Sequence, residues 1–89
     1  MEIFLDDEDG YTAWIGAHRG AGFVINAPRR PGGGGLMLHT AACSHIAPAA
    51  GWRYTGPDWY KIAGTERAQL TAWALSQRGP LALCKDCKP

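Results

Sequence analysis

Two cysteines two residues apart, Cys84-Lys85-Asp86-Cys87, form the segment of this chain best equipped for chemistry. At that spacing two thiolates can grip one tetrahedral metal ion, with backbone N–H groups of the turn directed at the sulfurs. A C-x-x-C pair can also be a redox couple, but redox pairs usually open a helix after a strand. This one follows a helical pattern and a Gly79-Pro80 break, which fits a structural knuckle. The second half of a metal set is His39-Thr-Ala-Ala-Cys43. Three intervening residues bring both side chains to one side of a helical turn. His39, Cys43, Cys84 and Cys87 are thus a predicted Cys3His set for zinc. Four protein ligands leave no position for water, so the expected zinc is structural rather than hydrolytic. It would join two segments across 40 intervening residues and offset a small core. His18 and His45 compete for the histidine position. His18 falls on the apolar face of a predicted helix, and His45 follows Cys43 too closely for the same turn geometry.

A second group of residues suits DNA. Arg29 and Arg30 sit in the loop sequence NAPRRPGGGG, from which they could reach a groove or phosphates. Trp52-Arg53-Tyr54 and Trp59-Tyr60-Lys61 interleave aromatic rings with cations, a combination that can stack on a base and neutralise phosphate together. Two such rings could sandwich a flipped or modified base. Lys85 and Lys88 flank the cysteine knuckle and could hold phosphate. The competing reading is packing: in a chain this short, Trp52, Tyr54, Trp59 and Tyr60 can also serve as core under a loop, and Asn26 can cap a strand end.

No H-x-E, H-E-x-x-H or paired-carboxylate arrangement accompanies these residues. Asp6-Asp7-Glu8-Asp9 reads as a helix start, because carboxylates favour the positive end of the helix dipole. The chain is therefore expected to bind rather than to catalyse.

The positioning elements follow from pattern. Ile3 to Leu5 suggests a short strand. Tyr11, Trp14, Ile15 and His18 at i, i+3, i+4 and i+7 predict a helix closed by Gly20 and Gly22. Phe23 to Ile25 and Leu36 to Leu38 predict a hairpin around the flexible 26–35 loop. Residues 39–46 predict a turn, residues 47–59 an aromatic-rich loop, and Tyr60 to Ile62 a further strand. Thr65 is the expected N-cap of a helix reaching about Gln77, with Ala68, Leu70, Trp73, Ala74 and Leu75 buried. The expected architecture is α+β: a small antiparallel sheet of about three strands, two or three helices, and one zinc staple.

With 89 residues the chain has room for a single domain, 1–89, whose limited burial makes a metal staple expected. A net charge of +1 argues against a uniformly basic surface, although acidic residues cluster early and basic ones late. The start MEIFLDDEDG lacks the pattern of a secretory leader, and no apolar run approaches the roughly 20 residues of a membrane span. A cytoplasmic, reducing setting is the expectation, with no membrane partner. In such a setting three cysteines read as metal ligands rather than disulfides.

The pattern Leu38-His39-x3-Cys43-x2-Ile46, then strand, helix and Gly79-Pro80-x3-Cys84-Lys-Asp-Cys87-Lys-Pro89, resembles the Ada-type zinc-binding domain over roughly residues 36–89. The resemblance implies zinc ligation by His39, Cys43, Cys84 and Cys87, and contact with DNA. In Ada proper the first ligand is a cysteine that accepts a methyl group. His39 stands there in this chain, which removes the acceptor thiolate. Residues 1–35 form an extension to that core. Gly10-Tyr-Thr-Ala-Trp14 and Gly22-Phe-Val-Ile-Asn26 are similar to N-terminal domains of actinobacterial HNH nucleases and modification-dependent restriction enzymes. That similarity implies a module of a larger polypeptide that reads double-stranded DNA, including modified DNA. The alternative is a structural or protein-interaction zinc module that does not bind DNA.

Overall fold

The structure is a computed structural model describing residues 1–29, 35–47, 53–77 and 81–89. Its elements run β1 (Glu2–Phe4), α1 (Glu8–His18), β2 (Phe23–Pro28), β3 (Leu36–Thr40), β4 (Trp59–Gly64), α2 (Arg67–Gln77) and β5 (Leu81–Leu83). The class is α+β, with two helices among the described residues. The sheet has five strands rather than three, in the order β1-β4-β2-β3-β5. It is mixed rather than purely antiparallel, because β5 runs parallel to β3.

The β2–β3 hairpin forms as its pattern requires, with Phe23 opposite Thr40 and Asn26 opposite Met37. Its tip, including Arg30, lies outside the described residues. β2 continues past Ile25 to Pro28, so Asn26 is a mid-strand residue and not an end cap. Pairing explains the extension: β4 offers a partner to every residue of β2 from Phe23 to Pro28.

Alternation along the strands sends side chains to two faces. On one face Ile25, Ala27, Leu36, Leu38 and Ile62 are buried with Leu70 and Ala74 of α2. On the other, Phe4, Val24 and Ala63 pack against Tyr11, Trp14 and Ile15 of α1, and this core continues into Cys43, Ile46 and Cys84. The helices therefore sandwich the sheet.

α1 starts where its acidic run predicts. Asp7 is the N-cap and accepts a hydrogen bond from the Gly10 N–H at 2.9 Å. Just before it, Asp6 takes a left-handed turn (φ 50°), and its N–H bonds the Thr55 carbonyl. α2 begins at Arg67, so Thr65 lies two residues before the helix rather than capping it. Only Leu70 and Ala74, one turn apart, are fully buried on α2. Trp73 is half-buried, and Ala68 and Leu75 are exposed. A helix lying on a short sheet buries one narrow stripe, so the broader apolar face is not used.

Gly22 links α1 to β2 at a crowded point. A Cβ there would lie 2.6 Å from the Trp14 ring, 3.0 Å from the His18 carbonyl oxygen and 3.1 Å from the Ala41 Cβ. No described helix is long and apolar enough to cross a membrane.

Candidate metal centre and adjoining cavity

Two adjacent strand ends build the metal cluster. β3 and β5 are in register at Leu38 and Leu83, and the ladder continues one step as the Cys84 N–H donates to the Leu38 carbonyl at 3.0 Å. That step sets Cys84 beside His39. The chain then turns at each end. A turn over residues 40–43 brings Cys43 back, its N–H bonded to the Thr40 carbonyl, and the 84–88 turn brings Cys87 round, with the Lys88 N–H on the Cys84 carbonyl. The donor atoms of His39, Cys43, Cys84 and Cys87 all lie within 4.8 Å of one another. Three of these residues are buried and Cys87 is half-buried, and all three cysteines are free thiols. This set could hold a metal ion, and it is the set the spacing predicts.

The donor chemistry fits such an ion. His39 is 4% exposed, and its Nδ1 is buried without a hydrogen-bond partner. A buried polar atom without a partner is costly, and a metal bond would satisfy it. Burial, with His45 and Lys61 nearby, lowers the His39 pKa to about 4, so the ring is neutral and able to ligate at physiological pH. Cys84 is displaced toward the thiolate, first by the Cys87 N–H and further by His45 and the Asp86 N–H, against the effect of burial. Burial drives Cys43 the other way, as do its hydrogen bonds with Cys87 and Cys84. A bound cation would favour the thiolate form of all three cysteines. The Thr40 N–H also donates to the Cys87 sulfur at 3.2 Å.

His45 does come to the cluster despite its short spacing from Cys43. Its Nδ1 lies 3.6 Å from the Cys43 sulfur and 3.8 Å from the Cys84 sulfur. Its Nε2 is 3.2 Å from the Asp86 carboxylate. The side chain is half exposed, so it borders the sulfurs from the solvent side. His18 takes no part. It stacks on Trp14 with ring centroids 4.3 Å apart, and its Nδ1 is 2.9 Å from the Trp14 carbonyl oxygen.

No family model, curated protein or solved structure matches the chain. The functional reading therefore rests on the geometry.

A cavity of about 710 Å³ adjoins the cluster, with His39, His45 and Cys84 in its wall. It occupies the part of the α1-side sheet face that α1 leaves uncovered. Register puts Lys61, Asn26, Met37 and Ala82 in one row across β4, β2, β3 and β5, and all four line the cavity. Arg53, Tyr54, Trp59, Lys85 and Asp86 also line it. Five of the residues singled out for DNA thus converge here: Arg53, Tyr54, Trp59, Lys61 and Lys85.

Others do not. Arg29 is not a free loop cation: it is half-buried at the end of β2, and its guanidinium bonds Asp6 at 2.9 Å. Lys88 is exposed beyond the knuckle in a left-handed conformation (φ 50°) and does not line the cavity. Trp52, like Arg30, lies outside the described residues.

The aromatic residues divide between packing and exposure. Tyr60 packs edge-on against Trp73, as a core residue would, whereas Trp59 remains 41% exposed. Tyr54 is half-buried against Tyr11. Lys61 is 3% exposed and donates to the Asn26 Oδ1 at 2.7 Å and to the Tyr54 carbonyl at 2.6 Å. Glu8 braces the loop carrying Arg53 and Tyr54. Its carboxylate accepts from the Tyr54 and Thr55 N–H groups and the Thr55 hydroxyl at 2.7–2.9 Å.

Met37 and Asp86 are site residues that the spacing arguments missed, whereas the sequence offers Asn26 as a strand-end cap and His45 as a competing ligand disfavoured by its spacing from Cys43. Alternation offered a signal for Asn26, since Val24 and Asn26 share a face once β2 is read through to Pro28.

Proposed function

We propose that this chain is a zinc-stabilised DNA-binding module, and that it reads DNA through the cavity beside the metal. The observation that carries the reading is the convergence of Arg53, Tyr54, Trp59, Lys61 and Lys85, from three separate segments, on one cavity walled by the metal cluster. Cations at the rim suit phosphate, and half-exposed rings suit a base.

Zinc fits the cluster's donors and dimensions. Three thiols and a neutral imidazole are a common tetrahedral zinc set, and zinc–sulfur bonds of about 2.3 Å put sulfurs roughly 3.8 Å apart. The Cys43 and Cys84 sulfurs are 3.9 Å apart. With His39, Cys43, Cys84 and Cys87 as ligands, zinc would supply cross-linking rather than reaction chemistry. The chain's own residues would bind the nucleic acid. This reading agrees with the Ada-type resemblance, including the loss of methyl acceptance at His39, and with a role as the DNA-reading part of a larger nuclease or restriction protein.

Two measurements test it. Metal analysis of purified, folded protein should give about one zinc per chain, and well under half an equivalent would rule the zinc out. Titration with unmodified, cytosine-methylated and phosphorothioate duplexes should show affinity that falls steeply with salt and weakens in Arg53→Ala and Lys85→Ala. Absence of binding to all three at low salt overturns the DNA reading and favours the structural or protein-interaction alternative.

A further inference from the structure

The cavity floor has an unusual polarity. Lys61 carries only donors, so the Asn26 side chain must turn its oxygen toward the ammonium, as the 2.7 Å contact shows. That turn leaves both Asn26 amide N–H groups for the cavity, and they have no hydrogen-bond partner among the described residues. Lys61 spends two of its three N–H groups on the Asn26 Oδ1 and the Tyr54 carbonyl. The floor therefore offers donors and consumes its own acceptor. Tyr54 and Trp59 also line the cavity, and at its edge lie the exposed cations Arg53, 3.7 Å from the Asp6 carboxylate, and Lys85, with the Asp86 carboxylate beside them.

From this arrangement we infer that the cavity takes a single nucleobase with its phosphate, and selects a base whose edge presents acceptors, guanine foremost. The inference rests on the DNA reading above for the source of the base. Guanine shows two adjacent acceptors, O6 and N7, that can meet the Asn26 N–H pair and the remaining Lys61 N–H. Thymine offers a carbonyl and ranks next. On that same edge adenine keeps N7 but puts its N6 amine where guanine has O6, and cytosine puts its N4 amine where thymine has O4, so each sets a donor against these groups. An asparagine with both its oxygen and its amide free would prefer adenine. The bond to Lys61 removes that option here. A base cannot reach such a floor while stacked in a duplex, so in DNA it must be extra-helical or single-stranded.

The test uses the full metal-loaded chain and two sets of probes. The first is duplexes carrying one unpaired guanine, thymine, adenine or cytosine, or an abasic site, in a constant sequence. The second is the four free deoxynucleoside 5′-monophosphates. Quenching of tryptophan fluorescence, which Trp73→Phe and Trp14→Phe should leave in place and Trp59→Phe should reduce, and anisotropy of labelled duplexes report binding. Guanine should bind at least about tenfold tighter than adenine, cytosine or the abasic site, which is the discrimination of one good bidentate contact. Asn26→Asp replaces the donors with an acceptor beside Lys61 and should reverse the order toward cytosine and adenine. Asn26→Ala should flatten it. Metal content and circular dichroism of both variants confirm that they fold.

Equal affinity for all five duplexes, with salt-dependent binding intact, overturns base selection while leaving the DNA reading standing. Guanine preference among free nucleotides without any duplex binding supports the floor's selectivity and overturns DNA as its source. An Asn26→Asp variant that folds and still prefers guanine overturns the assignment of the floor.

Discussion

Lys61 carries its ammonium almost wholly out of water, and replacing it by methionine isolates the cost of that charge. The side chain is 3% exposed. Burial lowers its pKa from 10.5 to about 8, with Glu8 opposing the change. The unfolded chain then keeps the proton to near pH 10.5, while the folded chain releases it near pH 8. Between those values the unfolded state binds more protons, so stability rises with pH. A displacement of this size corresponds to about 3 kcal/mol. Lys61→Met keeps the buried stem and abolishes that dependence. At pH 7 it also relieves the cost of the buried charge, but leaves the Tyr54 carbonyl and the Asn26 oxygen without a donor, at about 1–3 kcal/mol each. The two effects oppose, so neutral-pH stability should change little. The assay is urea unfolding of both metal-loaded proteins in steps from pH 7 to 10.5. The variant's stability minus that of the wild type should fall by about 3 kcal/mol across the range. Parallel curves would refute the reasoning, because they would mean that the ammonium is as well solvated in the fold as outside it.

On the zinc proposal, chelation or Cys84→Ser should unfold the domain, since a structural zinc contributes on the order of 10 kcal/mol of binding free energy; far-UV circular dichroism before and after EDTA reads this out. Glu8→Ala should free the Arg53–Thr55 loop and weaken the proposed duplex binding more than it weakens metal retention, measured by titration and metal analysis on the same sample. In the wild type, burial raises the Glu8 pKa, but the Tyr54 and Thr55 hydrogen bonds and Arg53 outweigh it and hold the group below 4.5. Glu8 therefore adds stability above its unfolded pKa, and that contribution is lost as pH falls through the lowered folded value; an acid titration of wild type against Glu8→Gln shows it. Gly22→Ala should cost about 1–3 kcal/mol through overlap with Trp14 and the His18 carbonyl, and lower the melting midpoint by several degrees.

The metal set was legible in the sequence because its constraints are local: His39 and Cys43 share a turn, and Cys84 and Cys87 share another. α1 was legible for the same reason, with Asp7 capping it and Tyr11, Trp14 and Ile15 buried at helical spacing. β5 was not. Three residues carry no usable alternation, and the strand exists only because β3 offers its edge. Leu75 misled because periodicity marks a face without showing how wide a surface will cover it. Arg29 misled because its partner, Asp6, lies 23 residues away. The cavity floor was hidden for a related reason: Asn26 and Lys61 become neighbours only through the register of β2 with β4.

The parallel pairing of β5 with β3 has a consequence for biosynthesis. Residues 81–87 leave the ribosome after everything they dock against has been made. Until they arrive, the β3 edge is unpaired and His39 and Cys43 are half a site. The nascent chain therefore carries an open sheet edge and two solvent-accessible ligands until synthesis reaches Cys87. Strand pairing and assembly of the Cys3His cluster then come together in one late step.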